Sequence, residues 1–218
     1  MKKPVLITMV ALISAGLLAV APGQAQMRPK MEAGMMMMTS SAVDLGKAMR
    51  VLWEDHILYT RNYIISALAG LEDAQAIAAR LLKNQDDIGN AIKPYYGDAA
   101  GAKLTALLRD HILIAVEVVK AAKSGVAADL AAASKKWTAN ADDLAAFLSG
   151  ANPHWPRAEM TDMLHKHLEF TTQEVVSRLK KDWAGDIAAY DMGHAHMMKF
   201  ADILTSGIVA QFPDKFRS

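Results

Sequence analysis

The 218-residue chain contains no cysteine. Disulfides, thiolate metal centres and cysteine nucleophiles are thereby excluded, and stability has to come from burial. Aromatic residues make up only 6% of the chain, and 24 Lys and Arg nearly balance 23 Asp and Glu. No basic face stands out, so nucleic acid is not an expected partner; a membrane-surface role lacks support for the same reason. β-Branched runs are scarce and hairpin turns of the Asn-Gly type are missing, which leaves little room for strands. There is no Gly-rich phosphate loop, no Gly-x-Ser-x-Gly elbow and no His-Glu-x-x-His pair. No catalytic residue is assigned, and an enzyme is the less favoured expectation. Beyond residue 25 no segment is long and uncharged enough to span a bilayer, which needs ~20 residues.

What is present begins with an export signal. Lys2 and Lys3 precede the apolar stretch Val5–Val20, and Gly23-Gln24-Ala25 offers a small-x-small cleavage site. The competing reading, an uncleaved membrane helix, is opposed by the shortness of that stretch and by Pro22-Gly23 directly after it. Residues 1–25 therefore read as a bacterial signal peptide, and the mature protein is expected in the periplasm or outside the cell. Residues 26–41 read as a flexible Met-rich leader with Met27, Met31 and Met35 to Met38. Thioethers are soft ligands that suit Cu(I), so a copper-binding tail stands beside the plainer reading of a loose apolar tail. Residues 42–216 form the expected domain, of a size to bury one sizeable core.

Apolar residues fall at helical spacing along this domain. Helices are expected at about 42–70, 73–92, 99–124 and 128–149, then a fifth opened by Pro153 and Pro156 and running to about 181, and a sixth at about 184–210. The second stops at Lys93-Pro94, because a proline pushes its predecessor out of the helical region, and Gly125 and Gly150 end the third and fourth. The fold class is all-α, a single-domain helical bundle.

The same histidines recur at a nearly constant interval. His56, His111 and His167 are 55 and 56 residues apart, in Leu-Trp-Glu-Asp-His-Ile, Leu-Leu-Arg-Asp-His-Ile and Met-Leu-His-Lys-His-Leu. Asn84 and Asn140 are 56 apart, and His196 stands 56 further on. A fixed period points to repeated supersecondary units, here three antiparallel helical hairpins at about 42–96, 97–152 and 153–212. His56 with Asn84, His111 with Asn140 and His167 with His196 each straddle an expected turn symmetrically. Residues equally far from a turn share a depth, about 21 Å for fourteen residues at ~1.5 Å rise. Their helical neighbours at i±3 and i±4 are apolar, so the six side chains point inward.

Such a layer has two uses. It can satisfy itself, His56 bonding Asn84 and His111 bonding Asn140, and so fix helix register as buried polar residues do in coiled coils. Or it can hold a ligand. The third hairpin offers two histidines at one depth, with His194, Asp191 and Glu174 near by in sequence. Bundles build metal sites from imidazole and carboxylate on facing helices, and this set suits Zn, Fe, Mn, Ni or Cu. The metal-ligand candidates are His56, His111, His167, His196, His194, Asp191 and Glu174; Asn84, Asp87, Asn140 and Asp143 are candidates for a small polar ligand. No Glu-x-x-His pair of the ferritin-like di-iron type occurs. The connectors carrying Tyr95, Tyr96, His154 and Trp155 lie at the opposite end from the turns, where they cap the bundle or form an aromatic rim for a protein partner. Arg61, beside Thr60, reads as one half of a surface ion pair, with projection toward the layer's neighbourhood as the alternative.

The elements Trp53-x-x-His56, Thr60-Arg61, Leu82-Lys-Asn-Gln-Asp-Asp-Ile-Gly89, Ala91-Ile-Lys-Pro-Tyr-Tyr-Gly97, Asn140-Ala-Asp142 and Asn152-Pro-x-Trp155 together resemble a family of uncharacterised bacterial all-helical proteins. The resemblance runs from about residue 43 to residue 216. Members are sometimes labelled glycosyltransferase or acetylglutamate kinase, but those enzymes are α/β proteins with nucleotide sites, and this chain shows no motif of either. The resemblance implies the helical fold and adds no mechanism. The Met-rich leader and His194-Ala195-His196 fall outside the shared pattern.

Overall fold

A computed structural model describes residues 39–217. The expected signal peptide, and the expected leader up to residue 38, lie outside the described residues. Among those described, the chain is all-α: α1 (Ser40–Ala69), α2 (Ala74–Ser124), α3 (Ala127–Ala151), α4 (Arg157–Leu179) and α5 (Trp183–Gln211), then a short 3-10 turn at Pro213–Phe216. No strand occurs among them, and no helix is long and apolar enough to cross a membrane. Ser40 and Ser41, expected in the leader, belong to α1. The reason is a cap: the Thr39 hydroxyl accepts a hydrogen bond from the Ala42 amide at 3.4 Å, which meets one of the orphan N–H groups at the helix start.

The second expected helix does not stop at Lys93-Pro94. Instead α2 runs through Pro94 and leaves helical geometry at Gly97, with φ 83° and ψ 170°. Proline disfavours a helix around it without forbidding one, whereas a sharp reversal needs dihedrals that only glycine takes without strain. The two legs of α2 then fold back on each other. Arg109 on the second leg reaches Asp86 on the first at 3.1 Å. Gly89 and Gly101 meet at the crossing, where a Cβ on either would press on the other's carbonyl at 2.8 and 2.7 Å.

Six helical legs therefore stand in a ring in which sequence neighbours touch, and α5 closes it against α1. Arg50 pairs with Asp202 across that last seam. Two apolar clusters fill the ring. The larger holds Trp53, Leu108, Trp137, Leu164 and Phe200; the smaller, toward the turns, holds Tyr63, Ile64, Val119 and Val175. Burial of this kind contributes roughly 25 cal/mol per Å² of apolar surface. A polar layer lies between the two clusters.

Candidate functional site

That layer is built from one histidine on each of three legs: His56 on α1, His111 on the second leg of α2, and His167 on α4. All three are buried, at 1, 2 and 3% exposure. Their rings form a triangle with centres 5.5 Å (His56–His167), 5.9 Å (His111–His167) and 6.4 Å (His56–His111) apart. Beside them lies a cavity of about 20 Å³, lined also by Thr60, Ile112, Val119, Trp137, Thr171 and Val175. One water-sized body needs ~10–15 Å³, so the cavity has room for one and not for two.

The partner legs fix the depth of each histidine through a bond made three times over. Asn84 Nδ2 donates to the carbonyl of Leu52, Asn140 Nδ2 to that of Leu107, and His196 Nε2 to that of Met163, at 2.9, 3.0 and 2.8 Å. Each carbonyl lies four residues before its layer histidine. His196 thus takes the place of an asparagine and is only half-buried; its Nε2 is spent on the backbone. The side-chain partners differ from one another. His111 Nδ1 meets Asn140 Oδ1 at 2.8 Å, the expected pair. His56 Nδ1 meets Gln85 Nε2 at 3.3 Å, not Asn84. Gln85 was not expected in the site: it lies next to Asn84 in sequence and follows no repeat. Its Nε2 also bonds Leu81 O and Asn84 Oδ1, at 2.8 and 3.0 Å. His167 Nδ1, Gln85 Oε1 and Trp137 Nε1 are buried without a partner.

Burial in this apolar setting penalises the imidazolium form. It lowers His56 to about 3, with His111 adding repulsion, and lowers His111 to about 4 against the support of Asn140. His167 is lowered well below its ordinary value, first by burial and then by its histidine neighbours. In the neutral form each ring carries one nitrogen with a lone pair; that of His56 is Nδ1, which faces the Gln85 Nε2 donor.

The remaining expected ligands stand elsewhere. Glu174, two turns beyond His167, accepts from Arg61 Nη1 at 2.9 Å. Arg61 and Arg178 also hold both oxygens of Asp186, at 2.8 to 3.1 Å. Arg61 is therefore the centre of a largely buried cluster that ties α1 to α4 and α5, and the expected surface pair is corrected. Burial raises the Glu174 carboxyl to about 7 despite the two guanidinium groups. Asp191 is exposed, and His194 lies on the outer seam 3.6 Å from Glu54. Asp87 pairs with Lys83 and Asp143 is exposed, so neither reaches the layer.

The aromatic connectors are a cap. Trp155 is 2% exposed and its indole donates to Ile203 O at 3.2 Å. The Tyr96 hydroxyl donates to Gln211 and accepts from Asn152, and Tyr95 stacks on Phe216. Only His154 is exposed, so these side chains do not form an open aromatic rim.

Among the described residues, no three His, Asp or Glu side chains are placed to share a metal ion as they stand. Three imidazoles on one zinc have ring centres about 5 Å apart, from Zn–N bonds near 2 Å and tetrahedral angles; the triangle here is somewhat wider. Compared with known proteins, the chain matches no protein-family model, no curated protein and no solved structure.

Proposed function

We propose that this is an exported, non-catalytic binding protein that holds one transition-metal ion among His56, His111 and His167. The observation that carries this reading is the buried Nδ1 of His167, unpartnered beside a cavity of about 20 Å³. An unmet buried polar atom costs roughly 1–3 kcal/mol, and an ion coordinated there removes that cost. Neutral imidazole is the form that binds metals, and burial keeps the three rings neutral. An organic ligand needs a pocket of roughly 300–1,000 Å³, far beyond this cavity. Binding requires the three rings to draw inward by about 1 Å or less, judged against ring spacing on a tetrahedral ion.

The test is elemental analysis of the purified mature protein, followed by melts with and without a chelator. Near one equivalent of metal, and a melting temperature that falls on chelation, are expected. Saturation at a hundredfold excess over Kd stabilises by about 2.7 kcal/mol. Metal-free protein whose melt is unmoved by Zn, Cu, Ni, Mn or Fe refutes the proposal.

A second reading is favoured by the three matching carbonyl bonds from Asn84, Asn140 and His196. Here the layer only sets the register of adjacent legs and the cavity holds a water. Wild-type protein that binds no metal, yet loses cooperativity of unfolding when Asn84 and Asn140 become leucine, supports that reading instead.

A further inference from the structure

We infer that the three-histidine cavity selects a monovalent, three-coordinate ion, copper(I), over divalent metals. The inference rests on the binding proposal and narrows it. Charge and coordination number point that way, and the tautomers show what the rings supply.

Charge is the first. No carboxylate lines the cavity. The nearest buried acids in the fold, Glu174 and Asp186, are already neutralised by Arg61 and Arg178. A divalent ion would bring both its charges into an apolar pocket with no counter-charge. The cost of moving a charge out of water grows as its square. A monovalent ion faces about a quarter of the penalty of a divalent ion of equal size.

Coordination number is the second. Zinc sites close with four ligands, the fourth commonly water. A cavity with room for one water-sized body admits the ion and leaves no space for that water. Thr60 and Thr171 also line the cavity; each hydroxyl donates to a backbone carbonyl, that of His56 at 2.7 Å and of His167 at 3.0 Å, and keeps only its oxygen lone pairs to offer. Both are neutral oxygens and bring no charge. Copper(I), a closed-shell ion, is satisfied by three nitrogens and needs no fourth ligand.

Tautomer is the third. Asn140 Nδ2 donates to Leu107 O, which fixes the amide so that Oδ1 faces His111 Nδ1. His111 therefore keeps its proton on Nδ1 and carries a lone pair on Nε2, the arrangement by which second-shell carbonyls prepare a histidine for a metal. His167 has an unpartnered Nδ1. His56 differs: its Nδ1 faces the Gln85 Nε2 donor, so its proton sits on Nε2. That ring binds by moving the proton to Nδ1 and giving up the 3.3 Å contact, while Gln85 Nε2 keeps Leu81 O and Asn84 Oδ1 as acceptors.

The experiment is an anaerobic titration of the purified protein with Cu(I), held reduced by ascorbate, against a coloured Cu(I) chelator. Zn(II), Co(II) and Ni(II) are titrated in parallel. One Cu(I) per chain is expected, bound at least a hundredfold more tightly than Zn(II). X-ray absorption on the wild-type complex should give three nitrogen neighbours and no sulfur, a readout that needs no variant to fold. His111→Leu and His167→Leu should each weaken Cu(I) at least tenfold, and His154→Ala and His194→Ala should not. One-to-one Zn(II) or Co(II) binding with weaker Cu(I) overturns the copper inference and leaves the binding proposal standing. Sulfur neighbours, or full Cu(I) affinity in His167→Leu, overturn it as well. Binding of no metal at all overturns both.

Discussion

Acid should unfold this protein through its histidine layer, with a slope that can be worked out in advance. The folded state holds His56 down to about 3, His111 to about 4 and His167 well below the ordinary value. An unfolded histidine titrates near 6.5. As pH falls from 6.5 toward 4, the unfolded chain therefore binds three protons that the folded chain refuses, and stability drops. Glu174 works in the opposite sense. Its folded value is raised to about 7, so over the same window the folded state takes up one proton that the unfolded state does not. The net difference grows from about one proton near pH 6.5 to two near pH 5, where stability falls by about 2.7 kcal/mol per pH unit. Between pH 6.5 and 5 the loss is about 3 kcal/mol, a large part of a typical total of ~5–15 kcal/mol. Ordinary carboxylates titrate near 4, so the range above pH 5 belongs to the histidines. Urea unfolding followed by circular dichroism at steps from pH 7.5 to 5 measures the slope. Glu174→Gln removes the opposing proton and should steepen it to about 4 kcal/mol per unit. A flat profile between pH 6.5 and 5 would show that the imidazoles titrate normally and that the buried neutral layer is misread.

Four further outcomes are expected. In a double-mutant cycle, His111→Leu and Asn140→Leu should each cost about 1–3 kcal/mol, the pair together less than their sum; additive losses would deny the 2.8 Å bond any role. Gly97→Ala meets no atom within 4 Å, so its cost comes from the backbone alone, about 1–3 kcal/mol by urea denaturation; an unchanged midpoint would contradict the bend. Trp155→Ala should cost about 3–5 kcal/mol as a buried aromatic, and a neutral result in a thermal melt would return it to the surface. Arg61→Met leaves Glu174 and Asp186 with Arg178 alone and should destabilise by about 3–5 kcal/mol at pH 7. Without Arg61, which opposes the rise, the Glu174 carboxyl moves higher still, so the loss should deepen as pH rises above 7; a loss independent of pH would argue against a buried carboxyl there.

Much of the polar layer was legible from residue spacing. His56, His111 and His167 announce themselves by spacing, and symmetry about Gly70 and Gly125 puts Asn84 and Asn140 at their depth. The partners within the layer were less legible. Whether Asn84 or its neighbour Gln85 faces His56 turns on about 100° of helix rotation, finer than apolar spacing resolves. The cluster of Arg61, Glu174, Arg178 and Asp186 joins three helices through charged side chains that a sequence reads by default as solvated. The reach of α2 through Pro94 was hidden because proline's effect is a preference, while the reversal was set by Gly97 three residues later. Trp155 looked as suited to a rim as to a core; packing against α5, which spacing does not specify, decided it.

The reversal at Gly97 also sets the electrostatics of the ring. Without it, the ring would hold five legs, and α1 and α5 would run in the same direction where they close. With it there are six, and every leg runs opposite to both neighbours, as the pairings Arg109–Asp86 and Arg50–Asp202 attest. Each helix carries a macrodipole equivalent to roughly half a charge at either end. In an alternating ring of six these fields oppose one another in pairs, and near the middle of the bundle they largely cancel. The backbone thus offers a guest in the cavity neither attraction nor repulsion. On the proposal of a bound ion, its charge there would be answered by the ring nitrogens alone, so its affinity should be insensitive to salt and sensitive to any change in those rings.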